Sequence, residues 1–110
     1  MRTVYVVADN IFSPLGKNTG ANMAALNQGL SGISHQDSNI SSSPFFASFF
    51  SPGQIPPDDS LTPFEQIIFL SARDAMQKAG IDPAQINNRT GFILSTTKGN
   101  ISLIENPEED

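Results

Sequence analysis

The chain has no cysteine, and only one histidine and one tyrosine among its 110 residues. The missing thiol excludes disulfides, cysteine-ligated metal and thiol chemistry within these residues, and it leaves the redox compartment undetermined. His35 has no second histidine or cysteine with which to share a metal, and Asp37 beside it is a common neighbour at that spacing, so a surface histidine is the simpler account. Long hydrophobic runs are missing too. No stretch approaches the length of a membrane span, and the apolar run near the N-terminus is too short for a signal h-region and is broken at Asp9. The cytoplasm is the default compartment, with no membrane contact. Basic charge is scarce: six Lys and Arg stand against eleven Asp and Glu, for a formal net charge of -5. That balance predicts no nucleic-acid partner.

What is present is enough for a core. Hydrophobic residues make up 38% and charged residues 15% of the chain, a composition that is not disordered, at a length that allows one small domain or part of one. Val4, Tyr5, Val6, Val7 and Ala8 form a continuous β-type run closed by Asp9 and Asn10, the signature of a strand buried on both faces in a parallel sheet. Ser13-Pro14-Leu15-Gly16 is turn chemistry. Asn18 or Thr19 then caps a helix whose apolar positions are Met23, Ala24, Leu26 and Leu30, with Gly29 or Gly32 as its stop.

Residues 31–61 form a long Ser/Phe/Pro-rich loop with the period of neither helix nor strand. Phe45, Phe46, Phe49 and Phe50 are too apolar for a free linker and are expected to pin this loop to its own domain. A second helix begins unambiguously, with Thr62 as cap, Pro63 at the first helical position and Glu65 completing a capping box. Phe64, Ile67, Ile68, Ser71, Ala72, Ala75, Met76 and Ala79 follow its apolar stripe, widened by Phe69 and Leu70. Gln66, Arg73, Asp74, Gln77 and Lys78 lie off it, and Gly80 ends the helix. The small residues on the stripe permit close approach to a sheet or a second helix. A strand over residues 90–95 follows, and Asn100 is placed to cap a last helix. The order is β, α, long loop, α, β and the start of a helix, without internal repeat.

Three segments, in this order and spacing, resemble the N-terminal portion of the β-ketoacyl synthases, the thiolase-like condensing enzymes of fatty acid and polyketide synthesis. The first is the leading strand with Phe12-Ser13-Pro14-Leu15-Gly16 and the helix closed by Leu30-Ser31-Gly32-Ile33. The second is Ala72-Arg73-Asp74-Ala75-Met76-Gln77-Lys78-Ala79-Gly80-Ile81-Asp82. The third runs from Arg89 and Gly91 through Ser95-Thr96-Thr97-Lys98-Gly99-Asn100. The resemblance spans nearly the whole chain. It implies an α/β fold, an incomplete N-terminal half of a thiolase-like domain over residues 1–110, with a mainly parallel sheet and crossover helices. It also implies acyl carrier protein as partner and a homo- or hetero-oligomer.

The chain departs from the family at Asp9-Asn10 and at Ser95-Thr96-Thr97-Lys98, where many relatives have small or glycine-rich segments. The family's nucleophilic Cys and its two assisting His match no position here. No catalytic, cofactor-binding or metal-binding residue is therefore carried over, and these residues alone are expected to be inactive. Condensation needs a thiolate, an oxyanion hole and neutral imidazoles.

The remaining candidates have plain alternatives. Lys98, Gly99 and Asn100 have the makings of an anion cradle, but a strand-to-helix turn with a solvated Lys is the commoner meaning. Gly16-Lys17-Asn18-Thr19 lacks the upstream Gly of a phosphate loop, where Ile11 stands. Asn39, Asn88 and Asn100 begin glycosylation sequons without a secretory signal to make them relevant. Ser95 and Ser102 have no base placed to activate them, and Glu105, Glu108, Glu109 and Asp110 make a solvated charge run. An alternative function is a complete non-catalytic module that binds a carrier protein or a larger synthase subunit through Phe45, Phe46, Phe49 and Phe50. With two strands unpaired and a helix stripe part-covered, self-association is also expected.

Overall fold

The structure is a computed structural model that describes residues 1–37 and 41–105. Along the chain run α1 (Thr19–Asn27), β1 (Ser34–Gln36), β2 (Phe45–Ala47), α2 (Pro63–Lys78), a single 3-10 turn (Pro83–Gln85) and the short α3 (Ser102–Glu105). Both long helices are bounded by local chemistry. Asn18 caps α1 by accepting from the Ala21 N–H, and Thr62 caps α2 by accepting from the Glu65 N–H while Glu65 accepts from the Thr62 N–H. At the other ends Gly29 (φ 72) and Gly80 (φ 67) adopt the left-handed region. Leu30 N–H reaches Ala25 O at 3.0 Å, and Ile81 N–H reaches Met76 O at 3.0 Å. Each is a Schellman motif, which satisfies the carbonyls left over in the last turn.

The expected α/β architecture is not the one adopted. The sheet of the described residues has two strands, antiparallel, with Ser34 opposite Ala47, His35 opposite Phe46 and Gln36 opposite Phe45. Among the described residues there is no parallel sheet and no crossover helix between paired strands. Residues 4–8 and 90–95, the two expected strands, pair with nothing among the described residues. The reason lies in chain separation. The hairpin joins segments close in sequence, inside what sequence composition marks as a structureless loop, whereas the β-type runs stand over eighty residues apart. Joining them costs loop-closure entropy that only a covering layer of neighbouring elements offsets.

Those neighbours are not in place. The two long helices do not pack on each other, and β1 with β2 is the one pair of elements in contact among the described residues. The radius of gyration is 17.4 Å, against roughly 13 Å for a compact chain of this length. The accessible surface is 9298 Å², where a folded monomer of this mass exposes about 5,900 Å².

The helices also turn unexpected faces inward. In α1 the buried residues are Asn22 and Ala25, while Met23, Leu26 and Leu30 are exposed. In α2 the buried residue is Gln66, which lies off the apolar stripe, and Phe69 is 54% exposed. No helix among the described residues is long and apolar enough to cross a membrane.

Candidate functional site

The best-organised place in the molecule is the turn Ser13-Pro14-Leu15-Gly16. Its ends bond to each other twice, Ser13 N–H to Gly16 O at 2.9 Å and Gly16 N–H to Ser13 O at 3.0 Å. Asn22, 3% exposed, fastens this turn to α1. Its Nδ2 donates to the carbonyls of Ile11 (3.0 Å), Gly16 (2.9 Å) and Asn18 (2.9 Å). Its Oδ1 accepts from the Ser13 hydroxyl. A buried amide with both ends occupied is a structural fastener: Gly16 O and Asn18 O also accept from the backbone N–H groups of Ser13 and Asn22, while Ile11 O takes its donor from the Asn22 side chain.

Gly16 is required by space: a Cβ there would lie 2.6 Å from Ala21 Cβ. The long loop returns to the same turn. Gln54 Nε2 donates to Pro14 O at 2.9 Å, Gly32 packs closely enough that a Cβ would meet Ser48 Oγ at 2.9 Å, and Phe50 packs on Phe12 with ring centroids 5.7 Å apart.

A second junction ties the N-terminal segment to α2. Asn10 Nδ2 donates to Ser71 Oγ at 2.9 Å and to Lys17 O at 3.2 Å. Its Oδ1 accepts from Lys78 Nζ at 3.3 Å, and Lys78 also pairs with Asp74 at 2.6 Å. Thr19 donates to Asp9 at 2.6 Å. Asp9 and Asn10, a departure from the resembled family, are thus the residues that hold the first segment down. A cleft of about 270 Å³ lies beside them, lined by Phe12, Lys17, Leu70, Arg73 and Asp74 among others. It holds no imidazole or nucleophile, and its carboxylate is already paired.

A third junction enlarges the α2 capping box. Asn100 Nδ2 donates to Glu65 Oε1 at 3.0 Å, and Asn100 Oδ1 accepts from the Thr62 hydroxyl at 2.7 Å. Hydrogen bonds from the Thr62 backbone, the Thr62 side chain and Asn100 hold the Glu65 carboxyl below its ordinary value. Asn100, expected as a helix cap, serves α2 instead. The amides of Lys98 and Gly99, the candidate anion cradle, both donate to Thr96 Oγ1, at 3.3 and 2.9 Å. Thr96 closes the turn on itself, and α3 is a single turn, too short to offer a charged N-terminus.

The other candidates are dispersed. His35 Nδ1 lies 3.6 Å from Asp37 Oδ2 at the surface, with its ring edge-on to Phe46 at 5.5 Å. No group of three metal-ligating side chains forms among the described residues. The four loop phenylalanines do not gather into one patch. Phe45 and Phe49 meet edge-on at 6.4 Å, Phe50 sits on Phe12, and Phe46 and Phe49 are exposed. Asn88 and Ser95 are exposed, while Asn39, Glu108, Glu109 and Asp110 lie outside the described residues, as do the side chains of Ser102 and Glu105.

Sequence reasoning missed the roles of Asn10, Asn22 and Gln54. The signal for Asn22 was present: an amide one turn past a cap residue and six past a Ser-Pro turn is within reach of both. No protein-family model, no curated protein and no solved structure matches the chain.

Proposed function

We propose that the chain is the N-terminal part of a cytoplasmic β-ketoacyl synthase, which joins an acyl thioester to a malonyl thioester on acyl carrier protein. The observation that carries this reading is the order and spacing of the three sequence blocks along nearly the whole chain. A physical feature supports it. The runs at the first and third blocks are apolar, β-type and uncovered: Val4 and Val6 are 89% and 88% exposed and Ile93 is 95% exposed. Such surface is stable in water only when further chain covers it.

In the proposed reaction a cysteine thiolate takes the acyl group and releases the carrier thiol. Malonyl thioester then loses carbon dioxide, and its enolate carbon attacks the enzyme-bound thioester, forming the carbon–carbon bond and freeing the thiolate. This chain has no cysteine and one histidine, so it contributes scaffold to that site and no reacting group. The alternative reading, an aromatic docking module, draws on Phe46 and Phe49, the exposed pair of the four, since Phe45 and Phe50 are half-buried.

The test is the reading frame beyond Asp110. A cysteine opening a helix and two later histidines in glycine-containing loops are expected there, and a stop codon in their place contradicts the reading. The 110-residue chain by itself is expected to show no acyl transfer above blank, and clear transfer would contradict the assignment equally.

A further inference from the structure

The start of α2 turns inward a residue that its apolar stripe does not explain. Gln66 is 6% exposed, and its Nε2 donates to Leu61 O at 3.2 Å. Among the described residues nothing donates to its Oε1. A buried amide acceptor without a donor calls for an account, and Gln66 lines a cleft of about 370 Å³ that supplies one. Phe50, Ile55, Pro56 and Leu61 give the cleft apolar walls, and Asp58 and Asp59 add two successive carboxylates. No lysine or arginine lines it, and neither aspartate has an ion pair among the described residues.

The loop that builds this cleft is held at both ends. Ser51-Pro52-Gly53-Gln54 closes a turn, with Gly53 at φ 80 and the Gln54 N–H on Ser51 O at 3.0 Å, and the Gln54 side chain ties it to Pro14 O. Further along, Asp58 Oδ1 accepts from the Ser60 and Leu61 N–H groups at 2.7 and 3.1 Å. That fixes the carboxylate and leaves its second oxygen for a ligand. The helix start does not offset the acidic charge, because the Glu65 and Gln66 N–H groups are both spent on Thr62.

We infer that this cleft binds an alkyl guanidinium, the chemistry shared by an arginine side chain and a free guanidino compound. A guanidinium is a planar fork of five donors, so it can serve the two carboxylates and the Gln66 Oε1 together. It is weakly hydrated and stacks on aromatic faces, which Phe50 supplies. The aliphatic walls take the stem, for which a bare metal ion has no use. The inference goes beyond the proposed activity and does not rest on it.

Chemical-shift titration of the 110-residue chain tests it with three probes: butylguanidinium, its neutral isostere butylurea, and N-acetylarginine amide. Butylguanidinium is expected to bind saturably in the millimolar range, to move the Gln66 side-chain amide and the Asp58 and Asp59 backbone amides, and to weaken as salt rises. Asp58→Asn keeps the oxygen that closes the turn and removes only the charge. It and Asp59→Asn are each expected to weaken binding about tenfold, with the amide shifts of α2 in the free chain unchanged, and the double variant to abolish it. Tighter binding of N-acetylarginine amide than of butylguanidinium supports an arginine of a partner chain as the ligand, and the reverse order supports a free guanidino compound. Butylurea binding as tightly as butylguanidinium, the absence of a saturable shift with either guanidinium probe, or a double variant that binds like the parent would overturn the inference.

Discussion

The turn at residues 13–16 and the run at residues 4–8 lie within a dozen residues of each other and meet opposite fates. The turn is held by hydrogen bonds, between its own ends, to Asn22 and to Gln54 of the returning loop. The run is built from Val4, Tyr5, Val6 and Val7, as strong a β-former as the chain possesses, and it stands open to water. Local hydrogen-bond chemistry completes itself in a short chain; an apolar strand does not, because its stability comes from pairing and coverage by distant elements. Residues 91–95 repeat the lesson beside α2, whose ends are fixed by caps while its apolar stripe is only half-buried and Phe69 stands exposed.

Removing the fastener should break this comparison most sharply. Asn22→Leu takes the donor from Ile11 O and the acceptor from the Ser13 hydroxyl, and should cost about 2–3 kcal/mol. Amide exchange of α1 and the turn should accelerate accordingly, with residues 4–8 unaffected. Gly16→Ala comes next. Its Cβ would sit 2.6 Å from that of Ala21, and forcing the turn off α1 should cost about 1–3 kcal/mol, read as lost protection at Gly29 and Leu30. Thr62→Ala should cost about 1 kcal/mol at the start of α2 and remove the hydroxyl from which Asn100 Oδ1 accepts, so the Asn100 side-chain resonances should shift while its bond to Glu65 remains.

The smallest effect is a pH dependence of the same cap. Glu65 has its carboxyl held below the ordinary value of 4.5, so its contribution to α2 is fully present above that pH and is lost as pH falls through the lowered value. Carboxyl titration of Glu65 by NMR should give a midpoint below that of a free glutamate, and Thr62→Ala should raise it. An unchanged midpoint would remove the capping network from the account.

These contrasts explain what was legible in the sequence. The limits of α2 were, since Thr62, Pro63, Glu65 and Gly80 act on their immediate neighbours. For α1 two residues were open at each end, Asn18 or Thr19 and Gly29 or Gly32, and the structure uses Asn18 and Gly29. The buried face of α1 was not. Periodicity counts apolar side chains, and the decisive residue is an amide that enters the interior to meet the Ile11 carbonyl and the Ser13 hydroxyl. The hairpin was hidden as well, because Ser34-His35-Gln36 lacks apolar residues and Phe45-Phe46-Ala47 lacks alternation. The parallel sheet was the opposite error. The β-type runs are genuine in composition, but composition does not supply the neighbours a central strand requires. Among the candidate sites, Lys98 and Gly99 were recognised as a turn, whereas the cross-chain link from Asn100 to Glu65 depends on packing that no local pattern announces.

Hydrogen–deuterium exchange resolved along the backbone tests the central contrast most directly. Slow exchange is expected at the interior amides of α1 and α2, together with exchange at the unprotected rate over residues 4–8 and 91–95. Protection of the Val4, Val6 and Ile93 amides equal to that of α2 would contradict the account, by showing that the apolar runs find their partners within this chain.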